Sequence, residues 1–274
     1  MKQNFTGIFK KGSKTYFTST LFFPKKQQET IARLYAFVRI ADDYVDSIPQ
    51  QSKEYHAFKS EYYTSLHSKS SSKNEVIDSF IDLQHEYSFE QKWVDGFFES
   101  MEMDLNNHIY KTFEDTEKYI YGSAEVIGLF MNRLLEVTPK ADISAQYLGK
   151  AFQYINFIRD VAEDQTLGRT YFPITELEKR SLPDLSKETA LKNEENFIKF
   201  MRDQIARYIG WNDTAAEGFH YLPKRYRIPI QTAASMYEWT AQQIWENPFI
   251  VYEKKVKPSF ARIIFTGLSH TLLP

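Results

Sequence analysis

The sequence predicts an all-α protein. Three observations carry that prediction: apolar residues recur at helical spacing through most of the 274 residues, Gly and Pro number only 10 each, and no pair of alternating apolar runs joined by a turn marks a hairpin. No repeat of fixed period interrupts the pattern. The length suits a single helical domain spanning 1–274.

The elements follow in order. Over 27–47 the apolar positions Ile31, Leu34, Tyr35, Val38, Ile40, Ala41 and Val45 keep the helical period, with Pro24 before the segment and Pro49 after it. The same period predicts helices over 53–66, 74–86, 89–105 and 113–137, then over 143–165, 188–208, 229–247 and 257–268. Breaks are expected at the Ser-rich 68–73, at Thr138-Pro139, over 168–173, and at Leu182-Pro183, Leu222-Pro223 and Asn247-Pro248. The expectation is a bundle of about eight to ten helices.

Composition narrows the function. Hydrophobic residues make up 42 %, with 22 Phe and 18 Tyr, enough to fill a large core and to line a cavity for an apolar or cationic ligand. The net charge of −2 and the lack of a dominant basic stripe speak against a nucleic-acid partner. Lys25-Lys26 and the Lys254, Lys255, Lys257 cluster read as solvated faces. With no Cys, a disulfide framework and a thiolate metal site are excluded, and the cytoplasm is the expected compartment. No apolar run reaches the roughly 18–20 residues that span a bilayer. Residues 1–14 lack a signal-peptide core. A soluble protein is expected, or one attached to a membrane only at its surface.

Two acidic motifs stand out. The first is Asp42-Asp43-Tyr44-Val45-Asp46. At about 100° per residue, Tyr35, Arg39, Asp42 and Asp46 share an arc of about 60°, while Asp43 points roughly 80° from Tyr35. Carboxylates at i, i+4 repel unless a cation sits between them. Hard oxygen donors of this kind suit magnesium, which shares its shell with phosphate oxygens. The second motif lies in 153–164, where Gln153, Asn156, Asp160 and Asp164 fall within about 80°, beside the Arg159, Glu163 pair. Oxygen-only donors argue against zinc. One acidic pair alone is usual on a solvated helix face; two such stripes in apolar helices are costly to bring together without cations. A carboxylate-bridged di-iron site would need two Glu-x-x-His units, and the chain offers one, Glu217 to His220.

At these residues the chain resembles the squalene/phytoene synthase family. Gly12-Ser13-Lys14-Thr15-Tyr16-Phe17 resembles its N-terminal flap. Leu34 to Arg39 followed by DDYVD resembles its first aspartate-rich helix, and Met103-Asp104-Leu105 a signature before the central helix. Tyr119 to Gly128 resembles that central helix, Asn156 to Pro173 the second aspartate-rich helix and its exit, and Tyr237, Ile244 and Asn247 the C-terminal pattern. One departure is Glu125, where related enzymes often carry Gly after the Ala. Helix arithmetic puts Glu125 on a face with Tyr121, Gly128 and Asn132. The expectation is that it lies beside the cavity, hydrogen-bonded to Tyr121 or Asn132; a contact with another helix is the alternative.

The resemblance implies an isoprenoid-synthase helical bundle around a central cavity. It implies that Asp42, Asp46, Asn156 and Asp160 hold magnesium, or manganese in its stead, and that Asp164 completes the second motif. Ser13, Lys14, Thr15, Tyr35, Arg39, Gln153 and Arg159 would hold the diphosphates or nearby substrate atoms, and Tyr121 and Tyr237 would line the cavity. The implied reaction joins two prenyl diphosphates head to head through a cyclopropyl diphosphate. Two twenty-carbon units would give phytoene, on the route to carotenoids; two fifteen-carbon units would give dehydrosqualene, or squalene if NADPH reduces the product. The lipophilic product suggests peripheral contact with a membrane. Rival readings are a class I terpene cyclase, whose second motif Ala162-Glu163-Asp164 does not match, and a non-catalytic scaffold member, which would be expected to lose aspartates that are all present here.

Overall fold

The computed structural model describes residues 4–12, 14–68, 70–106 and 109–272, with the backbone alone at 14, 15 and 272. The chain forms α1 (Phe5–Gly12), α2 (Lys14–Thr20), α3 (Lys25–Asp46), α4 (Ser52–Ser68), α5 (Glu75–Glu86), α6 (Gln91–Asn106) and α7 (Phe113–Ile120). Then come α8 (Val126–Leu134), α9 (Asp142–Arg159), α10 (Val161–Thr166), α11 (Ile174–Glu178), α12 (Lys187–Lys192), α13 (Glu194–Ala216), α14 (Lys224–Glu246) and α15 (Phe260–Leu272). Among the described residues the only pairing of extended backbone is the bridge between Ile109 and Thr170, so the all-α expectation holds.

Local chemistry sets several boundaries. Pro24 precedes the first residue of α3, where a missing N–H costs nothing. Asn74 caps α5 by accepting from the Val76 N–H at 2.9 Å. Thr112 and Asp115 form a reciprocal capping box on α7. The helix expected over 229–247 starts five residues earlier, after Pro223, and carries Pro229 inside it.

Three expected helices are divided. The segment 113–137 is interrupted by a π turn, Tyr121–Glu125, between α7 and α8. Close packing accompanies it: a Cβ at Gly122 would fall 1.9 Å from the Gly96 carbonyl of α6, and one at Gly128 2.1 Å from the Ala145 carbonyl of α9. The segment 143–165 breaks at Asp160, whose φ of −99° and ψ of 14° leave the helical region. The segment 188–208 divides at Asn193 into α12 and α13. Helices α1, α2 and α11, each of eight residues or fewer, were not expected; segments this short carry too few periodic positions to declare themselves.

Two large apolar clusters form the core. One gathers Tyr119, Tyr154, Phe157, Phe172, Phe197 and Phe200 around α9 and α13. The other gathers Phe37, Phe58, Phe80, Phe97, Phe98 and Phe130 around α3 to α6 and α8, with Phe37 stacked on Phe80 at 3.7 Å between ring centres. The C-terminal ends of α3 and α6 meet the exit of α10 where these halves join.

Candidate active site

The first acidic motif occupies the last turn of α3. Arg39 straddles its near side, donating to Asp42 Oδ2 at 3.1 Å and pairing with Asp43. Asp43 is the more open of the two, its side chain 54 % exposed against 32 % for Asp42, as the helix phase predicts. Burial pushes the Asp42 carboxyl well up, and the neighbouring Asp46 adds to the rise against the pull of Arg39. The solvent that still reaches a third of the Asp42 side chain moderates that shift.

The second motif is carried by α9 and α10. Gln153 and Asn156 are half-buried on α9. Asp160 is the joint itself, and Asp164 follows one turn into α10. Arg159 grips Asp160 in a two-pronged pair, Nε to Oδ1 at 2.8 Å and Nη2 to Oδ2 at 2.5 Å. Lys255, from the stretch before α15, reaches Asp160 at 3.3 Å and also pairs with Glu163. The Asp164 carboxyl is pushed up to about 8 by burial and then by the charges of Asp160 and Glu163.

Arg169 joins the two motifs. Its side chain is almost wholly buried; it donates to Asp46 Oδ1 at 2.5 Å and to the Val45 carbonyl at 2.6 Å. The exit of the second motif is thereby fastened to the end of the first. Behind it lies Asp104 of α6, 1 % exposed, accepting from Tyr119 at 2.7 Å and from Tyr171 at 3.0 Å. Burial raises the Asp104 carboxyl to about 7, although the Tyr119 hydrogen bond and the Arg169 charge oppose the rise. Asp46 also contributes to the raised carboxyls of Asp42, Asp104 and Asp164, so the two stripes face one another.

Beside the carboxylates is an aromatic group drawn from three helices. Tyr16 of α2, Phe152 of α9 and Tyr237 of α14 have ring centres 4.5 to 6.3 Å apart. Burial raises both tyrosine hydroxyls, which hydrogen-bond each other, and Arg159 lies close enough to act on both. Tyr35 stacks on Phe9 at 4.2 Å, and a Cβ at Gly12 would lie 2.5 Å from its hydroxyl, so the end of α1 closes against α3 here. Ser13 and the side chains of Lys14 and Thr15 lie outside the described residues.

Tyr121 and Glu125 are set apart from this group. Tyr121 is half-buried over Gly96 of α6 and neighbours Lys92. The expected partners of Glu125 are corrected. It meets Gln146 at 3.4 Å and Lys150 at 3.6 Å, both on α9, while Asn132 donates to Asp142 at 2.6 Å. The π turn shifts the helical register at this point, and Glu125 makes a contact between helices.

Several residues of the site carried no signal in the search for acidic stripes. Arg169 sits in a loop, where periodicity says nothing. Asp104 was visible only as part of a motif; its place on the buried face of α6 with Phe97, Ser100 and Met101 was the available clue. Phe152 lies about 40° from Asn156 on the helical wheel and could have been drawn from that alone. Lys255 is exposed, as expected of a solvated face, and also reaches the second motif at Asp160.

The donor set suits a hard divalent cation. The Asn156 amide hydrogen-bonds Tyr237, yet its Oδ1 is buried with no partner. That orphaned oxygen belongs to the turn of α9 that ends at Asp160, a hard oxygen donor of the kind a divalent cation would take up. Among the described residues no three acidic or histidine side chains are drawn together as one chelate, so phosphate oxygens would have to complete the shell.

The sequence model of the squalene/phytoene synthase family matches residues 9–262. The chain is similar to the 15-cis-phytoene synthase of Pantoea ananas, 27 % identical over 254 residues that cover 86 % of this chain and 82 % of the relative. It is similar also to the 15-cis-phytoene synthase of Synechococcus elongatus, at 24 % over 258 residues, 89 % of this chain and 83 % of the relative. Among solved structures, a dehydrosqualene synthase in complex with ligand superposes with a TM-score of 0.87 at 20 % identity, over 98 % of this chain and 94 % of that one. The squalene synthase of Alicyclobacillus acidocaldarius superposes with a TM-score of 0.78 at 17 % identity, over 89 % and 93 %. At these identities the structural likeness speaks for the fold.

Proposed function

The chain belongs to the squalene/phytoene synthase family, and we propose that it is a prenyltransferase that joins two geranylgeranyl diphosphates head to head into phytoene. The observation that carries this reading is the pair of acidic stripes facing one another across Arg169, with an unpartnered Asn156 oxygen on the second stripe and an aromatic group alongside. Asp42, Asp46, Asn156 and Asp160 would hold magnesium, which when bound neutralises the departing diphosphate.

The chain's own residues do the rest. Arg39 and Arg159 offer guanidinium groups to diphosphate oxygens, helped by Lys255. Gln153, Tyr35 and the segment Ser13-Lys14-Thr15 would orient the substrate head. The C1–O bond breaks with its electron pair leaving on the diphosphate, and the resulting allylic cation is attacked by the double bond of the second substrate. Loss of a proton closes the cyclopropyl diphosphate. Its ionisation, rearrangement and a final proton loss give the hydrocarbon. The faces of Tyr16, Phe152 and Tyr237 stabilise the cations and keep water from them.

Purified protein is incubated with farnesyl or geranylgeranyl diphosphate and magnesium, with and without NADPH, and the hydrocarbons are identified by mass. Phytoene from the twenty-carbon substrate without reductant is expected. Dehydrosqualene or squalene from the fifteen-carbon substrate would move the assignment within the family. Turnover to cyclised monomers only, or no product from either substrate, would overturn it.

A further inference from the structure

The two ends of the chain differ chemically from its middle. Residues 1–28 hold six lysines, and residues 254–274 hold three lysines and one arginine; neither segment contains an Asp or Glu, although the chain as a whole is net −2. The fold brings these ends together. Helix α15 packs on α14 and α2, and α2 packs on α1. The Phe22 ring lies so close to Gly267 of α15 that a Cβ there would fall 2.2 Å from it.

Helix α15 turns a bare apolar face outward. Ile263 and Gly267 face the protein, whereas Phe260, Phe265 and Leu268 are 65 %, 75 % and 52 % exposed. These three share an arc of about 140° with Ala261 and the half-buried Ile264, and no charged residue falls within it. Leu21, next to Phe22, is exposed as well. Lys25 and Lys26, which follow the turn after Phe22, and Arg262 of α15 are exposed, as are Lys10 and Lys11 at the end of α1. A second copy docking through this face would bring lysines against lysines. An anionic lipid surface is complementary to both features: apolar side chains enter the headgroup boundary and cations meet the phosphates.

We propose that α15 and the turn over 21–24 dock the protein on an anionic lipid bilayer, with Phe265 and Leu268 entering the headgroup boundary. The inner faces of the helices behind this surface carry Tyr16 on α2 and Tyr237 on α14. The docked face therefore backs directly onto the aromatic group of the site. Its use in delivering an apolar product rests on the reaction proposed above; docking itself does not.

The test is flotation of the full chain with vesicles of neutral phosphatidylcholine, or of the same lipid with about 30 % phosphatidylglycerol. The wild type is expected to float with the anionic vesicles and to be released by about 0.5 M salt. The double variant F265E/L268E should lose binding by about tenfold or more, and K25E/K26E should lose it on the anionic vesicles alone. Melting temperature, and turnover of detergent-dispersed substrate, should match the wild type in both variants. A wild type that binds neither vesicle overturns the proposal, as does binding that F265E/L268E leaves intact. A dimer in solution that F265E/L268E dissociates, without vesicle binding, assigns the face to self-association instead. Failure of turnover with intact vesicle binding would count against the reaction and leave the docking standing.

Discussion

Replacing Arg169 by Met removes a side chain that ties the exit of the second acidic motif to the end of the first. Met keeps much of the apolar volume and loses three donations: to Asp46, to the Val45 carbonyl, and a long one of 3.4 Å to the Tyr171 hydroxyl. Asp46 is 42 % exposed on its side chain, so water replaces its lost partner and the pair itself contributes at most about 1 kcal/mol. Val45 is fully buried, but its carbonyl also accepts from Gln50 Nε2 at 2.9 Å, so it keeps one partner and the lost donation costs about 0.5–1.5 kcal/mol. Asp104 also loses its nearest cation and is held more firmly in the protonated form. The sum is about 1–2.5 kcal/mol of stability, or a melting temperature lower by roughly 2–5 °C in a chain of this length. Turnover should fall further than stability, by roughly 100-fold or more, because Asp46 is no longer held opposite the second stripe. The Arg169→Lys variant keeps a point charge but cannot serve Asp46 and the Val45 carbonyl with one planar fork, and should recover only part of each loss. Thermal melts and product formation at saturating substrate measure both quantities. If Arg169→Met melts within a degree or so of the wild type and turns over at half its rate or better, the bridge holds nothing that matters.

Three further outcomes follow from the same geometry. Asp42→Asn and Asp46→Asn should each lower turnover by roughly 100-fold or more with the helical circular dichroism intact, whereas Asp43→Ala should be milder; equal losses at all three would show that the exposed Asp43 belongs to the site. The raised carboxyls of Asp42, Asp104 and Asp164 mean that the folded chain binds more protons than the unfolded one between about pH 4 and pH 8, so without divalent cations stability should fall as pH rises through that window. Magnesium has to displace those protons, so its gain in melting temperature should be larger at about pH 8 than at about pH 5.5; equal gains at both would disconnect the ion from these carboxylates.

The parts of the fold that periodicity governs were legible in advance. The long helices α3, α4, α5 and α6 lie within a few residues of their expected ranges, because each buries one stripe over three turns or more. What escaped was decided by contacts distant in sequence. The π turn coincides with the tight packing of Gly122 on α6 and of Gly128 on α9, and Glu125 meets Lys150 of α9 because Asn132 stands about two turns further along the same helix and is taken up by Asp142. The break at Asp160 coincides with the Arg159 grip and with Lys255 arriving from 95 residues further on. The site was legible as acids on two stripes. Its cations and its hidden acid were not, since Arg169 and Lys255 lie in irregular segments and Asp104 is a lone carboxylate on an otherwise apolar face.

The pairing of these acids has a consequence for how charge enters the site. Asp42 is matched with Arg39, Asp46 with Arg169, and Asp160 with Arg159 and Lys255. A half-buried carboxylate stripped of its partner is expensive, and so is a half-buried guanidinium. On the proposed function, a diphosphate arriving with magnesium would bring both replacements at once, anionic oxygens for Arg39, Arg159 and Lys255 and a cation for the aspartates. The exchange can proceed without leaving any of these groups uncompensated. Either component alone would satisfy one set and strand the other. Arg169 differs from the rest, because it is almost wholly buried and also holds the Val45 carbonyl. Its expected role is to fix the distance between the stripes while the pairs around it change partners.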